Sequence, residues 1–213
     1  MARPPTPRLL PARTRERREH VIDDLMDLFL AEGFHSFSMG ELAGRLKCSK
    51  TTLYLVASSK EQIVVTTVRA FFRRAASRIE ARVASSGDAR ERISVYLDAV
   101  ATELQPASPK FYADVNVFGP ANQAYRENTF VAAQRVQDLV NEGVAAGVLR
   151  SVNAEFVGAA VGHVMTAIQS GAIEAATNVD DASAYRQLAD LVIAGIAEPD
   201  DLSIRTTKDV GLG

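Results

Sequence analysis

Apolar residues along this chain recur at helical spacing from end to end. Between residues 21 and 29, Val21, Ile22, Leu25, Met26, Leu28 and Phe29 follow an i, i+1, i+4, i+5, i+7, i+8 pattern, one face of a helix. Gly33 ends that helix, predicted over 13–31. Ser38 with Glu41 forms a capping box that starts helix two, over 38–46. Ser49 followed by Thr52 starts helix three, over 49–56. Ser58 with Glu61 reads as a second capping box, and a long helix four runs from Ser59 to about Ala84, with Ile63, Val64, Val68, Phe71, Phe72, Ile79 and Val83 inside.

The rest continues the pattern. Asp88 caps helix five. A short helix from Ser108 to about Val117 is stopped by Gly119-Pro120. Helix seven spans roughly 121–146, Asn153 caps helix eight to about Ala176, and helix nine, capped by Asp181 or Ser183, ends before Pro199. Strand-like alternation of β-branched residues is scarce, so the expected fold class is all-α. It comprises a three-helix N-terminal helix-turn-helix domain and a C-terminal helical domain, about nine helices in all. The domain boundaries read as a disordered basic arm over 1–12, a helix-turn-helix unit over 13–58, a helical body over 59–198 and a flexible tail over 199–213.

Composition adds an asymmetry. The 213-residue chain has a net charge of −2. Residues 1–84 hold 15 Lys and Arg against 9 Asp and Glu, and the remainder holds 9 against 17. A basic head on an acidic body fits a head that meets a polyanion and a body that does not. Cys48 is the single cysteine and is expected to pack in the turn between helices two and three, in a reducing, cytoplasmic setting. No run reaches the ~18 apolar residues of a membrane span, so no membrane partner is expected. P-loop, nucleophile-elbow and HExxH patterns are missing, and His20, His35 and His163 are scattered. Neither an enzyme, a cofactor nor a metal site is therefore expected.

The helix opening at Ser49 is short, hydroxyl-rich and cationic, which suits a DNA major groove. Lys50 and Thr51 reach base edges or phosphates, Thr52 does the same, and Ser38 and Ser49 lie at helix starts that face phosphates. Leu53 is core. Arg17, with Arg13, Arg15 and Arg18, can enter an adjacent minor groove.

Taken together, Phe29, Gly33, Phe34, Ser38-Met39, Leu42-Ala43, Ser49-Lys50, Thr52-Leu53-Tyr54 and Lys60-Glu61 make the segment 21–63 resemble the tetracycline-repressor (TetR) family of transcriptional regulators. The resemblance implies a repressor that binds a near-palindromic operator as a homodimer and answers to a small-molecule effector. Its implied partners are double-stranded DNA, a second copy of the chain and that unidentified effector. Tyr54 then contacts phosphate and Lys60 anchors the DNA backbone. Three positions depart from the family pattern. Lys47 stands at a turn position usually held by glycine, Val56 where a polar aromatic or histidine touches phosphate, and Ala57 where a core phenylalanine is usual. Ala57 predicts repacking by Leu55 or Val56, or a shift of helix four.

The same resemblance places the dimer face on the last two long helices, with Phe156, Gly158, Val161, Gly162, Ile168, Tyr185, Leu188 and Val192. Pocket candidates are the aromatics Phe72, Tyr96, Phe111, Tyr112, Phe118, Tyr125 and Phe130, with His163 and Met165. The segment over 110–128 is the expected pocket wall or entrance. Two rival readings from other classes are an adaptor of the same fold that binds protein in place of DNA and, far behind, a helical-bundle enzyme.

Overall fold

The computed structural model describes residues 11–197. The proline-rich arm with Arg3 and Arg8, and the tail from residue 199, lie outside the described residues. The described chain is all-helical, with one isolated antiparallel bridge between Leu149 and Ala197. It forms ten helices: α1 (Ala12–Glu32), α2 (Met39–Arg45), α3 (Lys50–Leu53), α4 (Lys60–Ala84), α5 (Ala89–Leu104), α6 (Pro109–Val117), α7 (Gly119–Ala145), α8 (Ala154–Gln169), α9 (Ala172–Thr177) and α10 (Asp181–Ile196).

Helix starts follow the serines and acids of the sequence. Ser38 accepts from Glu41 N while Glu41 returns a bond to Ser38 N. Ser49, Asp88, Ser108 and Asn153 each accept from the amide three residues on. Each bond satisfies one of the orphan amides of a first turn. The start of α4 differs from the expectation. Ser59, not Ser58, accepts from the amide three residues on, that of Gln62, and the Gln62 side chain reaches back to Ser58 N. The two overlapping patterns Ser58–Glu61 and Ser59–Gln62 compete, and a mixed arrangement forms: Ser59 takes the Gln62 amide, while the Gln62 side chain accepts from Ser58 in place of Ser59. Gly119-Pro120 opens α7 instead of merely stopping α6, because proline is compatible with a first helical turn. The expected helix eight is two helices. Gly171, with φ 74°, breaks it and begins α9, and α10 is capped by Asp180, which accepts from Ser183 N, in place of the expected Asp181 or Ser183.

The chain divides into two compact units. Among the described residues, the first holds 11–71 and 108–121, and the second 72–107 and 122–197. α6 therefore belongs with α1 to α3, although the sequence reading assigned it to the body.

In the first unit, Val21, Ile22, Leu25 and Phe29 of α1 are buried together with Leu42, Leu53, Ile63, Val64, Phe111 and Val115. Phe34 plugs this core. Its ring lies 5.7 Å from Phe29, 6.2 Å from Phe111 and 6.1 Å from Phe118, in tilted or edge-on pairs.

In the second unit, α10 runs along α5 and also touches α8. Ile93, Leu97, Val136, Leu139, Val140, Val161 and Leu188 fill the core between them. α7 and α8 approach closely at two glycines. A Cβ on Gly158 would fall 3.0 Å from the Ala133 carbonyl, and one on Gly162 would fall 2.8 Å from the Ala133 Cβ. The small residues of α8 thus serve packing within the chain.

Candidate nucleic-acid interface

α2, a tight turn and α3 form the helix-turn-helix. The turn closes as a Schellman motif: Cys48 N donates to Ala43 O at 2.9 Å and Lys47 N to Gly44 O at 3.2 Å. Lys47 takes φ 50°, the left-handed conformation that its position demands.

One turn of α3 sorts its side chains cleanly. Leu53 is fully buried, while Lys50 and Thr51 are exposed and Tyr54 keeps 51% of its surface open. Thr52 is half-buried. Its hydroxyl lies 2.9 Å from Ser49 Oγ, which also accepts the Thr52 amide at 3.1 Å. Thr52 is thus committed to the cap, leaving Lys50, Thr51 and Tyr54 as the outward set. Lys50 Nζ and Ser38 Oγ each lie 3.8 Å from where a Gly40 Cβ would stand, so the ammonium folds over α2 beside the cap of that helix.

Val56 is 6% exposed. It turns inward, while Ala57 is half-buried. The burial of Val56 is compatible with repacking by that residue, one of the expected answers to Ala57. Lys60, placed as a DNA anchor, spends its ammonium on the His35 carbonyl at 2.8 Å. Arg17 is exposed and lines a groove of about 520 Å³ with Arg13, Glu16, His20, Asp24, Lys47 and Cys48. Cys48 is half-buried in this groove, more accessible than the packed thiol expected. Burial pushes its pKa up, Arg17 opposes this and Asp24 adds to it, so the thiol form dominates.

Residues 21–67 match the family model described as bacterial regulatory proteins, tetR family. The head belongs to the TetR family. The protein is accordingly a DNA-binding transcriptional regulator. No curated protein matches the sequence. Among solved structures, a TetR transcription regulator from Haloarcula marismortui aligns at TM-score 0.71 and 14% identity, over 86% of this chain and 100% of its own. A protein described as a transcriptional regulator from Saccharomonospora viridis, solved in complex with choline, aligns at 0.68 and 18%, over 86% and 99%. A regulator of the TetR/AcrR family from Thermobifida fusca aligns at 0.62 and 21%, over 84% and 98%. At these identities the likeness is one of fold. No helix among the described residues is long and apolar enough to cross a membrane.

The structure separates the pocket candidates. Phe111, Tyr112 and Phe118 lie in the first unit, where Phe111 and Phe118 pack on Phe34 in the core of the TetR head. The segment over 110–128 is thus no single pocket wall, because its first half is head core. In the second unit, Phe72 and Tyr125 meet at 5.4 Å. Below them runs a buried polar chain. Thr129 Oγ1 donates to Tyr125 O and lies 3.3 Å from Gln169 Oε1, and Gln169 Nε2 donates to Tyr185 OH at 2.8 Å. Met165 is buried, and Tyr96 donates to the Ala132 carbonyl at 3.4 Å, with burial holding its phenol far above the usual range. Phe130 points outward at 63% exposure. His163 is exposed, its Nδ1 2.8 Å from the Ala159 carbonyl of its own helix.

The dimer candidates also divide. Gly158, Val161, Ile168, Tyr185 and Leu188 are buried inside the chain, so a second copy has no access to them in this conformation. Gly162 and Val192 are half-buried. Phe156, 73% exposed, stands out on α8, and Leu191, 71% exposed, does so on α10. An apolar helix with two buried faces does not say from its sequence whether its neighbour is its own chain or a copy. Asp114 and Thr129 were missed altogether. Asp114 did carry a signal: Phe111, Asp114, Val115 and Phe118 fall at i, i+3, i+4 and i+7, so an acid occupies an apolar stripe.

Proposed function

We propose that this regulator binds a near-palindromic operator as a homodimer and releases or engages it in response to a small-molecule effector. The observation that carries the reading is the outward set Lys50, Thr51 and Tyr54 on a capped α3 whose Leu53 and Val56 are buried. A helix so mounted presents its first turn to base edges while Ser38 and Ser49 stand near the phosphates. A single head of this size reads few base pairs, so two heads on half-sites about 34–36 Å apart supply useful specificity.

Phe156 and Leu191, exposed apolar side chains on α8 and α10, support a dimer face on these two helices. The buried chain Thr129–Gln169–Tyr185, with Phe72 and Tyr125 above it, supports an effector site in the second unit. The S. viridis relative holds choline, which shows that a protein of this fold accommodates a small organic cation. An effector acts by preferring one spacing of the two heads, and only its differential affinity for the two states shifts the balance. The domain organisation that fits this reading is a DNA-reading head that includes α6, followed by a helical sensing and dimerising body.

Selection of bound fragments from genomic DNA, followed by gel shift over a salt titration, tests the reading. Enrichment of one inverted repeat is expected. Retention of no preferred sequence, with affinity only for bulk DNA, would overturn it.

A further inference from the structure

Asp114 is a carboxylate only 8% exposed in the core of the head. Its Oδ2 accepts two successive backbone amides from the loop between α1 and α2, Phe34 at 2.6 Å and His35 at 2.8 Å. The loop is shaped for it. Gly33 has φ 73°, and a Cβ there would overlap Asp114 Oδ2. Any other residue at position 33 meets both the left-handed backbone and the carboxylate. The opposite side of the same loop is also held, because Lys60 Nζ donates to the His35 carbonyl at 2.8 Å. A third bond, from Ser108 N to Leu30 O at 2.8 Å, fixes the N-cap of α6 to the last turn of α1.

Two consecutive amides thus point at an anion and the next carbonyl at a cation. Charge-assisted bonds of this kind are short and strong, and in a low-dielectric core they orient the peptides they hold. Only Ser36 and Phe37 separate His35 from the N-cap of α2. Whatever fixes the peptides of Phe34 and His35 therefore fixes where α2 starts, and α2 carries the turn and α3.

We propose that Asp114 is a positioning residue for DNA binding: it sets the entry of α2 and with it the pose of Lys50, Thr51 and Tyr54. This rests on the DNA-reading role proposed above. It also makes the reading unit discontinuous in sequence, completed by a helix that follows α5. Its partners are backbone amides, so the role depends on an acceptor oxygen at this place and not on pairing with a particular side chain.

The test uses the full chain and its Asp114→Ala and Asp114→Asn variants. Two readouts are taken: amide hydrogen exchange at Phe34 and His35 by NMR, and affinity for the duplex recovered by genomic selection against an unrelated duplex. In the unaltered chain both amides exchange slowly. In Asp114→Ala they exchange at least a hundredfold faster, and affinity for the selected duplex falls at least tenfold while that for the unrelated duplex changes less than threefold. Asp114→Asn, which keeps an acceptor oxygen without the charge, restores slow exchange and brings affinity to within about threefold of the original.

Fast exchange of both amides in the unaltered chain overturns the proposal, and this holds even if Asp114→Ala fails to fold. So does an alanine variant that exchanges fast yet binds the selected duplex within twofold, or an asparagine variant no better than alanine. If the unaltered chain prefers no duplex, the DNA-reading role falls by itself. A preference that Asp114→Ala shares in full sinks only the positioning role.

Discussion

The Lys47 amide donates to the Gly44 carbonyl at 3.2 Å, and Lys47 reaches that bond only by adopting φ 50°. A left-handed conformation costs a residue with a Cβ about 1–2 kcal/mol, and glycine pays nothing for it. Glycine in turn gives the unfolded chain more freedom, which returns about 0.4–1 kcal/mol. Lys47→Gly is therefore expected to stabilise the protein by up to about 1 kcal/mol. Lys47→Ala keeps the strain and gains nothing. Chemical denaturation of the three proteins checks the order. A glycine variant less stable than the alanine variant would refute the strain.

The capping box of α2 carries a pH dependence. Hydrogen bonds with the Ser38 backbone and then its hydroxyl hold the Glu41 pKa below its ordinary value of 4.5, and Lys60 adds to the effect. A carboxylate whose pKa is lower in the folded chain stabilises the fold at pH values above the ordinary one. That contribution is lost as pH falls through the lowered value. The difference in stability between the unaltered chain and Glu41→Gln should thus be constant above about pH 5 and shrink below pH 4. The amide of glutamine keeps an acceptor for the Ser38 N–H, so the comparison isolates the charge. Thermal melts at several pH values supply the measurement. A difference that grows on acidification has the wrong sign.

The sequence announced the head because its signals are local. A cap serine and the residue three positions on decide a helix start by themselves, and Ser38, Ser49, Asp88, Ser108 and Asn153 all act as caps. Ambiguity arose where two local solutions overlapped, as at Ser58 and Ser59, or where one residue outweighed a continuous apolar pattern, as Gly171 does between α8 and α9. The placement of α6 was not legible in this way. Its docking depends on Phe34 meeting Phe111 and Asp114, which lie about 80 positions further on and which no periodicity connects to it. The burial of several residues named for the dimer face was illegible for a related reason. Tyr185 and Leu188 look like seam residues, and the seam they fill lies within their own chain.

With those residues accounted for, the proposed association surface narrows to the apolar groups left outside. Burying a phenylalanine or leucine contributes about 1.5–3 kcal/mol, and a two-fold axis counts each side chain twice. Phe156→Asp is expected to weaken dimerisation by at least about 3 kcal/mol, roughly a hundredfold or more in the dissociation constant. Leu191→Asp should act in the same direction. Helicity should survive, since both positions are exposed within the chain. Sedimentation over a concentration series reads the constant directly. A dimer of unchanged strength in both variants would move the interface elsewhere.

Lys50 and Tyr54 share the outer face of α3, and the proposed DNA contact asks different physics of each. The ammonium of Lys50 displaces counterions when it meets a phosphate, so Lys50→Met should lower the magnitude of the log affinity against log salt slope by about 1. If Lys50 instead reads a guanine edge, the loss is about 1–3 kcal/mol and confined to one base-pair position of the operator. Tyr54 contributes a neutral hydroxyl. Tyr54→Phe should cost about 0.5–1.5 kcal/mol on every sequence alike and leave the salt slope where it was. Salt titrations on the selected operator and on single-position variants of it separate these outcomes. Full retention of affinity by both variants would show that α3 does not face the duplex.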